Sequence, residues 1–226
     1  MSAFSFRFTP IHTGAVCGIA LALAAAGPTS ILVHAAESTT GTTVQAGSAM
    51  PVVDAFYQTL LATMKDGPAL GFDGRVSRLT PAITQAFDLP AMTKIAAGAV
   101  WPTLSPDDQS RLINAFSRFS IASYAANFDS YDDERFEVEQ ETPAPGNNGR
   151  IIVKTQLIPK KGDPVEMGYL LRRNNGKMQI IDIFINGTIS EMAARRSEFS
   201  SILNRGGAQA LNELLEAKIK ALAATK

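Results

Sequence analysis

Apolar residues recur at helical spacing over the first half of the chain beyond residue 50, and the period then falls to two. Val53, Phe56, Leu60 and Met64 share one face of a helix predicted over 51–65, with Pro51 at its start. Gly67-Pro68 ends it, and Val76, Leu79, Ile83 and Phe87 mark a second helix, broken or kinked near Pro81. Leu89-Pro90 opens a shorter third, carrying Met92, Ile95 and Val100 towards Trp101. Ser105, Pro106, Asp107 and Asp108 are a strong start signal: an N-cap, a proline in the first turn, then acids where the helix dipole favours them. The fourth helix runs to about Phe128, with Leu112, Phe116, Phe119 and Tyr124 as its ridge.

Alternation takes over at Phe136 and Val138, set against Glu137 and Glu139, and predicts a half-exposed strand over 135–141. A second strand, 150–158, places Ile151, Val153 and Leu157 opposite Lys154 and Gln156. A third, 165–173, alternates Val165, Met167, Tyr169 and Leu171 with Glu166, Gly168 and Arg172. Asn174, Asn175 and Gly176 signal a hairpin into a strongly apolar fourth, 178–185. After Asn186-Gly187, Thr188 and Glu191 have the spacing of a capping box. The helix that follows carries Ile189, Met192, Phe199, Ile202 and Leu203 on one stripe and stops at Gly206, and a last helix carries Leu211, Leu214, Leu215 and Leu222. The pattern predicts an α+β fold: a four-stranded antiparallel meander with several helices packed on one side, forming a single domain over 51–226 without internal repeats.

Composition adds little until the N-terminus is considered. The 226 residues are 46% hydrophobic and 19% charged, with a formal net charge of zero, so no basic face advertises nucleic acid. Arg7 and His12 precede an apolar run from Ala15 to Ala26, shorter than the about 20 residues of a membrane span. Val33, His34 and Ala35 end in the small-residue pattern of a cleavage site, so residues 1–35 are read as a secretory signal peptide. The Ser/Thr/Gly-rich stretch 36–50 follows as a flexible leader. Cleavage after Ala35 removes Cys17, His12 and His34, the chain's only cysteine and histidines. What remains cannot form a disulfide, a thiolate nucleophile, a Ser-His-Asp triad or an imidazole metal site. A secreted chain without cysteine suits a bacterial periplasm.

Few residues then carry chemistry. Asp129, Asp132, Asp133 and Glu134 are dense enough for calcium but lack the glycine of a tight EF-type loop, which favours a solvated loop. Asp182 interrupts an apolar strand; it is either a catalytic or ligand-orienting carboxylate, or a structural one that points outward or caps a helix. The structural reading is preferred because no partner is visible. Arg172-Arg173 and Arg195-Arg196 suit lipid phosphates or a partner's acids, and equally suit solvated faces. No GxGxxG, P-loop or GxSxG motif occurs. The chain's excess is apolar surface, which either closes into a packed core or leaves a cavity for an apolar ligand.

Several stretches, collinear over about 51–221, carry a resemblance: AFDLP at 86–90, Trp101 ahead of Leu104-Ser105-Pro106, the Phe116/Phe119/Tyr124 helix, the segment 182–187, and the helix with Phe199, Leu203 and Gly206. Together they resemble the MlaC family of periplasmic lipid-binding proteins. Residues 122–131 (ASYAANFDSY) and 195–199 (RRSEF) are most similar to its hopanoid-associated branch, HpnM. The resemblance implies a monomeric periplasmic shuttle, not an enzyme and without cofactor or metal, that carries a lipid between an inner-membrane transporter and an outer-membrane complex. It implies a twisted sheet and helices around an apolar cavity. The cargo would be a phospholipid, its head group near solvent, or a hopanoid delivered with a transporter of the RND type. Face alternation lines that cavity with Val153, Leu157, Met167, Tyr169, Leu171, Ile181 and Ile183, and Phe116, Phe119, Phe199 and Leu203 stand opposite. Two other readings stay open: a scaffold bridging membrane complexes with a filled core, and an enzyme using Asp182 with Tyr169 or Glu166.

Overall fold

The computed structural model of the chain describes residues 48–146 and 148–224; the expected signal peptide and the leader through residue 47 lie outside them. Helix α1 (Met50–Lys65) buries Val53, Phe56, Leu60 and Met64, the expected stripe, together with Tyr57 beside it. The last three residues of the expected leader belong to the fold. A carboxylate oxygen of Glu141 accepts hydrogen bonds from Ser48 Oγ at 2.8 Å, the Ala49 amide at 2.7 Å and the Met50 amide at 3.1 Å. An acid thus sits at the positive end of α1 and satisfies its orphan donors. Burial pushes the Glu141 carboxyl up, but these three hydrogen bonds outweigh it and hold the group below the usual carboxylate range.

Helix α2 (Gly67–Ala86) bends at Gly71, where φ is +63°, and not at Pro81. Pro81 is exposed, as is Ser77 four residues earlier, so the carbonyl that loses its partner faces water and the helix continues. Phe87 leaves the helix to form a parallel bridge with Ile180. Asp88 then joins three elements. Its amide donates to the Ile180 carbonyl at 2.9 Å, and its carboxylate caps α3 (Leu89–Ala97) through the Ala91 amide at 3.0 Å. The other carboxylate oxygen accepts from Arg172 at 2.8 Å and Asn174 at 3.1 Å. A 3-10 segment (Gly98–Thr103) leads to α4 (Pro106–Asn127), whose N-cap is Ser105 as expected, its hydroxyl accepting from the Asp108 amide at 3.1 Å.

The sheet is an antiparallel meander of β1 (Arg135–Pro143), β2 (Ile151–Ile158), β3 (Val165–Asn174), β4 (Lys177–Ile185) and β5 (Ile189–Ser190), in that order. The fifth strand corrects the expectation of four. Asn186 and Gly187 both take positive φ, 51° and 72°, which turns the chain tightly enough to set Ile185 opposite Ile189. The Thr188/Glu191 capping box does not form, and Ile189 is 57% exposed instead of joining the helical stripe. The amides at the start of α5 (Glu191–Ala224) are taken by Asp182 and Ser190, at 3.0 Å to Met192 and 2.9 Å to Ala193. Helix α5 bends sharply at Gly207 (φ +66°), one residue past the expected stop. Its first arm, 191–206, buries Met192, Phe199 and Leu203; its second, 208–224, buries Leu211 and Leu215.

The inner face of the sheet packs on α1, α2, α4 and α5 in one large apolar cluster, and a smaller cluster on the outer face gathers Ala91, Ala144, Leu170 and Ile181. Among the described residues no helix is long and apolar enough to cross a membrane.

Candidate functional site

The inner row of the sheet is built by alternation. Register pairs Val153 with Tyr169, Thr155 with Met167 and Leu157 with Val165, so these side chains share one face. Across β3–β4, Tyr169 pairs with Ile183 and Met167 with Ile185, which extends the row. Facing it are Phe116 and Phe119 from α4 and Phe199 and Leu203 from α5, with the Phe116 and Phe199 rings edge-on at 6.1 Å. The structure therefore brings together in one cluster Phe116, Phe119, Val153, Leu157, Met167, Tyr169, Leu171, Phe199 and Leu203, with Ile183 packed against them.

Ile181 is the exception. Leu170 pairs with Asp182 but Leu171 pairs with Ile180, so Ile181 is an extra residue in β4. This bulge reverses the parity of the strand. Ile181, buried at 5%, points to the outer cluster, and Ile180, fully buried, takes the inner place assigned to it.

Alternation also carries a polar group inward. Thr155 belongs to the inner row, and its hydroxyl lies 2.7 Å from that of Tyr57 on α1. The Tyr57 hydroxyl donates to Tyr169 at 3.1 Å, and Tyr124 of α4 adjoins Tyr169. These buried hydroxyls satisfy one another, as polar groups in an apolar interior must. Burial pushes the Tyr57 phenol up to about 12, against the opposing pull of its hydrogen bonds to Thr155 and Tyr169. Burial raises Tyr124 and Tyr169 well above the usual phenol value too. Spacing alone placed Tyr169 in the row; Thr155 and Tyr57 were missed, although strict period two in β2 points Thr155 inward.

Charge gathers at the rim of the interior. The Arg195 guanidinium lies 4.9 Å from the centroid of the Phe119 ring, and the Lys218 ammonium lies 5.9 Å from it. Arg195 binds Glu191 at 3.0 Å, and Lys218 binds Glu198 at 2.6 Å. Burial raises the Glu191 carboxyl above its usual range, more than Arg195 lowers it. Arg172 is engaged by Asp88, and the Arg196 stem lies against Gly98.

Asp182 is structural. One carboxylate oxygen accepts from the Ile183 and Met192 amides at 2.7 and 3.0 Å, and the other from Ser190 Oγ at 2.7 Å. It pairs with Leu170 in register, on the face opposite Tyr169, and Glu166 is exposed, so the carboxylate–tyrosine constellation is not assembled. In the acid cluster, Asp132 and Asp133 share Lys160 at 2.9 and 3.0 Å, and Glu134 accepts from the Asp132 amide at 2.6 Å. Among the described residues no group of three or more acids, histidines or cysteines is placed to hold a metal ion.

Three comparisons with known proteins bear on this interior. The family model described as MlaC protein matches residues 54–217. Among solved structures, a phospholipid-binding protein from Ralstonia solanacearum, in complex with a phospholipid, is similar to the chain with a TM-score of 0.67 and 22% identity. The match covers 77% of this chain and 98% of that one. No curated protein matches.

Proposed function

This chain belongs to the MlaC family, and from that premise we propose that it is a periplasmic lipid carrier, not an enzyme, that takes the apolar part of a phospholipid between its sheet and its helices. The observation that carries the reading is the interior itself: an inner sheet row and an opposing helical row that meet through aliphatic and aromatic side chains. Each buried CH₂ of a lipid contributes about 0.8 kcal/mol, so one acyl chain supplies ample affinity without a charged anchor. A fold shared with a protein solved in complex with a phospholipid supports the same ligand class. The physiological partners on this reading are an inner-membrane lipid transporter and an outer-membrane complex, between which the carrier moves as a monomer. The similarity of residues 122–131 to the HpnM branch makes a hopanoid the alternative cargo.

Native mass spectrometry of the protein purified without detergent from the periplasm of a hopanoid-producing host, followed by extraction of whatever it holds, tests the proposal. A stoichiometric phospholipid adduct is expected; a hopanoid adduct would keep the carrier and change its cargo. A clean apo mass, unchanged after incubation with both lipids, would overturn the carrier in favour of a scaffold with a filled core.

A further inference from the structure

The side chains of the inner row and of the helices facing it are buried from solvent, so a lipid must pass between the elements that enclose them, and those elements are held very unequally. Helix α1 is tied to the sheet through the Tyr57 hydroxyl, at 2.7 Å from Thr155 and 3.1 Å from Tyr169, and its N-terminus is held by Glu141. Helix α2 is tied to α4 by Arg75, 3% exposed, which donates to the Ala125 carbonyl at 2.7 Å and the Gly67 carbonyl at 2.8 Å. The junction of α2 and α3 is pinned to the sheet by the buried Asp88. The first arm of α5 is anchored by Asp182 and Ser190. Moving any of these breaks buried hydrogen bonds, whose groups would have to find new partners.

The second arm of α5 is different. It joins the rest of the helix through Gly206-Gly207, and Gly207 has left helical geometry with φ +66°. Its ionic attachments, Lys218 to Glu198 and Glu216 to Arg118, are partly exposed. A cleft of about 360 Å³, lined by Asp108, Arg111, Ala208, Gln209 and Asn212, separates the start of α4 from the residues just past the bend. Among the described residues, what the arm contributes to the interior is aliphatic: Ala208, Leu211 and Leu215 are buried, and Leu214, Ile219 and Leu222 pack against the same cluster. An entering acyl chain replaces such contacts without leaving a polar group unpaired.

We propose that residues 208–224 are the door of the interior: the arm swings at Gly207, is latched by the Lys218–Glu198 and Arg118–Glu216 ion pairs, and admits lipid between α4 and the first arm of α5, past Phe119. The inference rests on the carrier reading above. It makes the two ion pairs a control on the rate of lipid exchange, since each joins the moving arm to an element that stays in place, α4 or the first arm of α5.

The test is a tether across the opening. In a Cys17→Ser background, Arg118→Cys and Glu216→Cys are joined by a reducible bis-maleimide, and uptake of fluorescent phosphatidylethanolamine from phosphatidylcholine vesicles is timed. Tethering is expected to slow uptake by about tenfold or more, with recovery on reduction. The same tether between Asp132→Cys and Lys160→Cys, remote from the arm, is expected to leave the rate unchanged. Glu198→Gln with Glu216→Gln, which loosens the latch without a tether, is expected to speed uptake. Equal rates with and without the Arg118–Glu216 tether would overturn the door and leave the carrier standing. Failure of the untethered, unsubstituted protein to take up lipid would overturn the carrier, and the door with it.

Discussion

The hydroxyl of Tyr57 on α1 donates to that of Tyr169 on β3 across 3.1 Å, in a part of the interior where both residues are at most 3% exposed. Thr155, 1% exposed, lies 2.7 Å from the same Tyr57 oxygen. The contact fixes the helix to two strands by hydrogen bonds that have no water to fall back on. Tyr57→Phe and Thr155→Val should each cost about 1–3 kcal/mol, because each leaves a buried group short of a partner. The double variant should cost less than the sum of the two, since it removes both ends of the 2.7 Å contact together. Urea denaturation of the four proteins measures this; strict additivity would show that the two hydroxyls do not depend on each other.

The same cluster sets an alkaline limit. Burial raises the Tyr57 phenol from 10.0 to about 12, and raises Tyr124 and Tyr169 further. Above about pH 10 the unfolded chain gives up phenolic protons that the folded chain retains, so the folded state binds more protons and stability falls as pH rises. The contribution of Tyr57 is complete below its unfolded value and is lost through its folded value of about 12. Denaturation midpoints measured from pH 8 to 12 should decline over the upper part of that range, and Tyr57→Phe should make the decline shallower.

Asp182→Ala should cost about 1–2 kcal/mol by removing the acceptor of the Met192 amide at the start of α5. Lipid loading of the folded protein should be unchanged, because the carboxylate faces away from the inner row. Thermal denaturation and native mass spectrometry together check both halves. A loss of loading with full stability would return Asp182 to a direct role.

The four long strands and the first four helices were legible because each has a strong period and ordinary punctuation: Asn175-Gly176 turns one hairpin and Ser105 caps α4. What was not legible depended on pairing between distant segments. The bulge at Ile181 exists only relative to β3, so no property of β4 by itself announces the change of face. A two-residue strand such as Ile189–Ser190 has no period, and its cap comes from Asp182 on the neighbouring strand. Asp88 was visible as the residue ahead of Leu89-Pro90, but its union with Arg172 and Asn174 spans more than 80 positions. Where alternation was unbroken, as in Val153, Met167 and Tyr169, the face of the sheet that each residue takes could be read from the chain alone.

Glu191 gives a prediction of the same sign in a lower pH range. Its carboxyl is raised by burial beyond what Arg195 recovers, so the folded chain holds the proton more firmly than the unfolded one. The stability linked to that proton is present at low pH and is lost as pH rises through the folded value, which leaves charged Glu191 a net cost at neutral pH. Glu191→Gln keeps an acceptor for Arg195 and should be neutral or stabilising at pH 7, with the advantage shrinking as the pH is lowered towards 4. Arg195→Met, which leaves the carboxylate buried without its cation, should destabilise by about 3–5 kcal/mol. Urea titrations at several pH values separate the two.

The two faces of the sheet can be told apart by truncation. Leu203 is 4% exposed in the inner cluster and Ile181 is 5% exposed in the outer one, so Leu203→Ala and Ile181→Ala remove similar volume from similarly buried sites. Each should cost about 2–5 kcal/mol through lost burial and the cavity left behind. Their effects on cargo should diverge. On the proposed carrier reading, Leu203→Ala changes the wall offered to the lipid, and should alter the amount or chain length of phospholipid retained after purification. Ile181→Ala, on the face of the sheet opposite the inner cluster, should retain the wild-type complement once stability is matched by temperature. Quantitative lipid extraction from both variants decides the matter: an equal change in each would mean that cargo retention follows global stability, and an unchanged Leu203→Ala would remove the first arm of α5 from the lining.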